Sequence, residues 1–234
     1  MIFFGKIFSI HSFWSNFVCL IWRKMCCCSV FAILCELKLM NRRSKITDFD
    51  ADIQACLDVL KKGGLILYPT DTVWGIGCDA TNADAVKKVY ALKKRADSKA
   101  LIVLVDSPEV LDHYVVDVPY MAYELINVAV KPLTIVYEGA FNMAKDLMGD
   151  NDSVGIRVTS ESFTHELCRR FGRPIVSTSA NVSGGNTAHT FNEIDKQIID
   201  GVDYVVEYRR NDTNIAEPSN VILLSSDGTF KILR

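Results

Sequence analysis

Three short segments and one isolated arginine carry residue types that could do chemistry. The first runs from Tyr68 to Gly77 and contains Pro69-Thr70-Asp71-Thr72-Val73-Trp74-Gly75-Ile76-Gly77. Three side-chain oxygens stand there beside a proline, which fixes a turn, and two glycines, which let a ligand approach the backbone. Such a loop at a strand end suits recognition of a small polar molecule, and its composition also fits a polar turn. The second is Lys93-Lys94-Arg95, with Lys99 shortly after. Arginine can grip phosphate oxygens at two points, and basic residues at a helix end also complement the helix dipole. The third is Ser177-Thr178-Ser179-Ala180-Asn181-Val182-Ser183-Gly184-Gly185, where an apolar run passes into hydroxyls and an amide. Hydroxyls and backbone N–H groups in such a loop can cradle an anion. Arg157 lies within Val154-Gly155-Ile156-Arg157-Val158, and a guanidinium in so apolar a strand requires an anion, either from the fold or from a ligand.

Several familiar chemistries are missing. Neither G-x-x-x-x-G-K-[ST] nor G-x-G-x-x-G occurs. His113, His165 and His189 show no metal-ligand spacing, and no Ser-His-Asp pairing is visible.

Elements that would position these residues alternate along the chain. Ile53, Cys56, Leu57 and Leu60 recur at helical spacing over Asp50 to Lys62, and Gly63-Gly64 stops that helix. Leu65 to Tyr68 predicts a buried strand. Asn82 caps a predicted helix to Lys94, with Val86, Val89 and Tyr90 on one face. Strands are expected at 101–105, 133–137, 154–158, 174–177, 204–206, 221–224 and 230–233, and helices at 119–130, 160–171 and 191–199. The mixture predicts an α/β domain around a mixed sheet, with its strand order open.

Composition is that of a globular chain: 234 residues, 49% hydrophobic, 23% charged, net charge -2. It excludes a largely disordered protein and gives no global basic balance for nucleic acid. Residues 1–39 differ from the rest. They hold Lys6, Arg23, Lys24 and Lys38 against Glu36 alone, and five of the eight cysteines, Cys19, Cys26, Cys27, Cys28 and Cys35. This leaves 22 basic and 27 acidic residues for 40–234. The stretch has no clean membrane span, no signal-peptide pattern and no C-x-x-C spacing. It reads as an apolar extension outside the fold: upstream sequence from a misplaced start, a targeting segment or an unusual appendage. Met40 then opens a polar segment like a natural start, so the domain is expected over 40–234. Cys56, Cys78 and Cys168 are read as buried free thiols of a reducing cytoplasm.

Taken together and in order, PTDTVWGIG at 69–77, KKR at 93–95, VGIR at 154–157, STSAN at 177–181, PSNV at 218–221 and ILR at 232–234 resemble the YrdC family of threonylcarbamoyl-AMP synthases. The resemblance covers residues 50–234. It implies an open α/β fold, a twisted mixed sheet with flanking helices around a deep basic cavity, in a short form without a further C-terminal domain. It implies joining L-threonine, bicarbonate and ATP into threonylcarbamoyl-AMP and pyrophosphate, in the cytoplasm and without a stable membrane partner. A separate transferase complex would then modify a tRNA adenosine.

Carried over position by position, Thr72, Arg157, Ser177 and Ser219 would bind threonine. Lys93, Arg95, Ser179 and Asn181 match the K-x-R and S-x-N catalytic signature, and Arg95, Lys99, Ser153, Ser179, Asn181 and Arg234 would face ATP. Mg²⁺ bridging the phosphates is expected with ATP, with no structural metal. Three departures stand out: Arg95-Ala96 and Lys99-Ala100-Leu101 replace Arg-Pro and Asn-Pro-Leu, Leu104 replaces a threonine-binding histidine of some members, and Tyr208-Arg209-Arg210 replaces a glycine-rich stretch. The competing readings are a non-catalytic member binding tRNA or double-stranded RNA, and a carbamoyl-adenylate module acting on another acceptor. The retained signature residues and the absence of accompanying domains argue against them.

Overall fold

The computed structural model describes residues 48–94, 101–214, 216–225 and 228–234. Contacts divide the chain into Met1–Thr47 and Asp48–Arg234, and every element described lies in the second unit. The expectations for residues 1–39 and for a start at Met40 fall outside the described residues, as do those for Arg95 and Lys99.

The first helix, α1 (Asp50–Lys61), buries Ile53, Cys56, Leu57 and Leu60 along the stripe that their spacing predicts. It closes through Gly63 at φ +70, a conformation that glycine adopts without steric cost. Strand β1 (Ile66–Tyr68) follows, wholly buried, and then β2 (Gly75–Gly77). Helix α2 (Ala83–Lys93) begins at Asn82, whose side chain accepts from the N–H groups of Asp84 and Ala85. Strand β3 (Ile102–Val105), helix α3 (Tyr120–Val128), strands β4 (Leu133–Tyr137) and β5 (Val154–Val158) and helix α4 (Ser162–Phe171) come next. Gly172 ends α4 in the left-handed conformation. The chain continues through β6 (Ile175–Ser179), α5 (Lys196–Asp200), β7 (Tyr204–Val205), β8 (Asn220–Leu224) and β9 (Phe230–Ile232).

Among the described residues the strands form one mixed sheet in the order β7-β1-β2-β6-β3-β5-β4-β8-β9. The pairs β1/β7, β3/β5 and β4/β8 are parallel and the rest antiparallel. This is the predicted α/β class, with the strand order now fixed. Helix α1 packs against α4, β1 and β7, and α4 covers β3. Phe49 and Phe163 meet edge to face at 5.6 Å, and Phe163 stacks on Tyr208. Beside them the buried Asp52 accepts from the Tyr204 hydroxyl at 2.6 Å and from the backbone N–H groups of Glu207 and Tyr208.

Three elements differ from the expectation. Gly75-Ile76-Gly77 is a strand, not loop, because it pairs with both β1 and β6. A Cβ on Gly77 would stand 2.6 Å from Cε1 of Tyr68. Strand β6 runs to Ser179 instead of ending at Ser177, carried on by that same pairing. The helix expected over 191–199 is broken into a 3₁₀ turn, Phe191–Glu193, and α5. Asp195 causes the break: its extended backbone puts its carboxylate where it accepts from the N–H of Gln197 and starts a new helix.

Candidate active site

The middle of the sheet, β2-β6-β3-β5, forms one wall of an open cavity of about 940 Å³. Register decides which side chains reach it. Ile102 of β3 stands opposite Ser177 of β6, and Gly75 of β2 opposite Ser179. Alternation puts Ser177 and Ser179 on the same face, and both line the cavity with Ile102. Gly75 is small for a reason, since a Cβ there would lie 3.3 Å from both the Ser177 hydroxyl and Cγ2 of Thr70.

The turn between β1 and β2 is built by its own side chains. The Thr70 hydroxyl donates to the carbonyl of Val73 at 2.7 Å, accepts from the N–H of Thr72 and lies 3.1 Å from the Thr72 hydroxyl. Thr70 is buried, and Thr72 lines the cavity beside it. Arg209, itself at φ +62, donates to the Thr70 carbonyl at 3.2 Å and pairs with Asp212 at 2.8 Å. Arg210 instead donates to the carbonyls of Val205 and Val206 and lies over the Phe191 ring. Only the first of these two arginines therefore touches the recognition turn.

Arg157 projects from β5 to the cavity wall with 2% of its side chain exposed. The fold does supply it an anion: Asp71, whose Oδ1 is 3.0 Å from Nη2. The pair satisfies neither partner. Oδ1 of Asp71 has no partner in hydrogen-bonding geometry, and Nε of Arg157 has none at all. Burial pushes the Asp71 carboxyl above its ordinary value and the guanidinium below its own, each against the charged form, with their mutual attraction opposing. A charge held at such cost beside a cavity is the kind of position where functional residues cluster, as structural ion pairs also do.

At the far side, Ser219 is buried, 3.1 Å from the Thr134 hydroxyl, and Arg234 donates to its carbonyl and hydroxyl at 3.2 and 3.3 Å. Both line the cavity. Thus Thr72, Arg157, Ser177, Ser179, Ser219 and Arg234, far apart in sequence, meet around one space. Among the described lining residues two arginines stand against one acid, Glu193.

Three other candidates lie off this wall. Lys93 is buried behind the loop after β6, where its ammonium donates to the carbonyls of Ser179 and Asn181. The amide of Asn181 is spent on the loop itself, donating to the carbonyls of Val182 and Gly185 and accepting from the Ser179 hydroxyl. Ser153 stands at the opposite end of β5 from Arg157, about 13 Å away along the strand. Leu104 pairs with Arg157 in register but is fully buried in the core. Trp74 lies within the first candidate segment without an assigned role, and residue types alone did not single out Asn186, Thr187, His189 or Glu193, yet all five line the cavity. Their signal is weak, because His189 and Glu193 look like ordinary surface polar residues.

A family model described as "Telomere recombination", covering the Sua5, YciO and YrdC proteins, matches residues 58–234. The chain belongs to the Sua5/YciO/YrdC family. Within it, the threonylcarbamoyl-AMP synthase of Pseudoalteromonas translucida is 37% identical over 158 residues, 66% of this chain and 84% of that protein. The structure of P. abyssi Sua5 complexed with L-threonine superposes with a TM-score of 0.68 at 25% identity, covering 78% of this chain and 53% of that one. This chain therefore spans about half of that Sua5. E. coli YciO shares the fold with a TM-score of 0.67, at 24% identity and 87% coverage of its chain. The family's architecture is thus the one expected from the motifs, a twisted mixed sheet with flanking helices. Among the described residues no helix is long and apolar enough to cross a membrane, and no group of three or more His, Cys, Asp or Glu could hold a metal ion.

Proposed function

We propose that the protein is a threonylcarbamoyl-AMP synthase. It joins L-threonine, bicarbonate and ATP into threonylcarbamoyl-AMP and releases pyrophosphate, for modification of tRNA. The observation that carries this reading is Arg157, a buried guanidinium that lines one cavity together with hydroxyls from three other segments and whose Nε has no hydrogen-bond partner. A substrate carboxylate is a second acceptor that the guanidinium can take beside Asp71. Thr72, Ser177 and Ser219 stand around the same space and can accept and donate to the ammonium and hydroxyl of threonine. The curated relatives bear the name of this enzyme, and the P. abyssi relative binds threonine.

Bicarbonate condenses with the threonine amine to a carbamate, with loss of water. A carbamate oxygen then attacks the α-phosphorus of ATP. The new O–P bond forms as the bond to the β-phosphate oxygen breaks, and pyrophosphate leaves. Charge grows on the phosphoryl oxygens in this step, and preplaced donors stabilise it. Arg234 is the described donor assigned to it, with Arg95 and Lys99 assigned to the same task by motif; Ser179 lines the same space with its hydroxyl donating to Asn181. Asn181 and Ser153 are assigned to the nucleotide by the same motif. Mg²⁺ enters as part of the nucleotide substrate, held by its phosphates. The three buried thiols of Cys56, Cys78 and Cys168 suit a reducing compartment, and we place the reaction in the cytoplasm. The product passes to a separate transferase complex that acts on tRNA.

The test is pyrophosphate release from ATP with threonine and bicarbonate each present or omitted. Release that requires both supports the synthase. No release, together with salt-sensitive binding of tRNA or double-stranded RNA, would favour the RNA-binding reading instead.

A further inference from the structure

Lys93 raises a question that the reaction leaves open. A phosphate ligand should be reachable, yet Lys93 is 1% exposed and its ammonium is occupied by two main-chain carbonyls, those of Ser179 and Asn181, the latter at 2.6 Å. Its backbone holds the same loop. The Lys93 carbonyl, at the end of α2 where the helix offers it no partner, accepts from the N–H of Ser183 at 2.9 Å. One residue therefore grips the loop at three points, before, at and after its Asn181 turn. Inside the loop the bonds continue: Ser179 hydroxyl to Asn181, and Asn181 amide to Val182 and Gly185. Ser179 is the member of this network that lines the cavity.

We propose that Lys93 is a positioning residue: its enclosed ammonium shapes the loop after β6 and so aims Ser179 into the nucleotide side of the cavity, without itself touching phosphate. This deepens the synthase reading and rests on it for the identity of the ligand. The chemistry fits a carbonyl clamp. An ammonium has three rotatable donors in a small volume and can serve several carbonyls that diverge. A guanidinium is planar and larger than the ammonium enclosed there, and its fixed fork suits diverging carbonyls less well.

Two measurements on the substrate-free protein test the clamp apart from any activity. In the wild-type protein, an amine-reactive label should modify Lys93 at least about tenfold more slowly than the exposed Lys87 of the same helix and Lys94 just after it, with no change on adding ATP. Labelling as fast as Lys87, with protection by ATP, would overturn the proposal in favour of a phosphate contact. In Lys93→Met, which keeps the length and removes the charge, amide exchange over residues 179–185 should quicken about tenfold or more before any substrate is added. Exchange unchanged from wild type would refute the clamp.

Kinetics then separate positioning from support of the fold. Lys93→Met should lower kcat by about 10²-fold, as expected when reacting groups are held out of line, while KM for threonine stays within about threefold. Lys93→Arg should fail to restore kcat. Full restoration by arginine would identify a phosphate ligand, and a lowered Tm with unchanged kcat would leave Lys93 purely structural; both refute the proposal. A wild-type protein that releases no pyrophosphate would refute the synthase reading, and labelling and exchange would still decide the clamp.

Discussion

Replacing Arg157 by lysine separates two duties that the structure gives to one side chain. The guanidinium balances Asp71 across 3.0 Å with both side chains nearly enclosed, at 2% and 9% exposed. Arg157 also lines the cavity, and its buried Nε has no partner. Lysine keeps the positive charge, so Asp71 retains a counter-ion and the full cost of an orphaned buried charge, about 3–5 kcal/mol, is avoided. What lysine loses is the planar second point of contact. A hydrogen bond to a charged group is worth about 1.5–3 kcal/mol, or roughly 10–150-fold in affinity. The expected outcome of Arg157→Lys is therefore a rise of that size in KM for threonine, with KM for ATP changed less than about threefold.

The assay is pyrophosphate release with each substrate varied, run beside a thermal melt. Asp71→Asn supplies the complementary measurement. It leaves the guanidinium unbalanced in the free protein, and a loss of about 3–5 kcal/mol corresponds to roughly 6–20 °C in Tm for a domain of this size. Saturating threonine brings a carboxylate to the same guanidinium, so it should raise Tm more in Asp71→Asn than in wild type. An unchanged threonine dependence in Arg157→Lys, with a lowered Tm, would refute the reasoning and reduce Arg157 to the structural partner of Asp71.

Other perturbations test the frame around the site. Gly77→Ala forces a Cβ to within 2.6 Å of Tyr68 and 3.0 Å of the Val176 carbonyl, and should cost about 1–3 kcal/mol in urea unfolding, as overpacking does. Asp52→Asn removes the charged acceptor shared by Tyr204, Glu207 and Tyr208, and should lower stability by about 1–3 kcal/mol in the same measurement. Glu166 is held down to about 2, chiefly by hydrogen bonds from Arg169 and then from Arg170. Its contribution is therefore complete above the ordinary glutamate value and is lost as pH falls toward 2, so Tm measured from pH 5 to 2 should fall less steeply in Glu166→Gln than in wild type.

Local pattern carried the elements and left the pairings unread. Helical spacing located α1, α2 and α4, and apolar runs located β3, β4 and β5, because burial of one face is written in consecutive residues. Strand β2 was invisible to that logic. Gly-Ile-Gly has little strand propensity, and it is a strand because two neighbours hydrogen-bond to it. The same limit applied to the site. The need of Arg157 for an anion was readable from its apolar strand, whereas its partner Asp71 lies 86 residues earlier and only register across the sheet brings it near. Lys93 was readable in a way that charge obscured: it continues the buried stripe Val86, Val89, Tyr90 at the next helical step, so geometry turns it inward with the core residues.

Arg157, Lys93 and Asp52 are buried charged groups, and each holds a different part of the molecule. Asp52 fixes the backbone at Glu207 and Tyr208, and the next residue, Arg209, reaches the Thr70 carbonyl under the recognition turn. Lys93 fixes the loop after β6. Arg157 and Asp71 are the exception: each keeps a buried atom without a hydrogen-bond partner, and Arg157 also lines the cavity. Buried charges whose hydrogen bonds are met within the fold, by main chain and, for Asp52, also by the Tyr204 hydroxyl, set conformation. A buried pair that leaves atoms unmatched carries a desolvation cost that its own attraction does not fully repay. The contrast between satisfied and unsatisfied charge, within one sheet and its loops, sets Arg157 apart from Lys93 and Asp52 and is the ground for proposing Arg157 as the substrate contact.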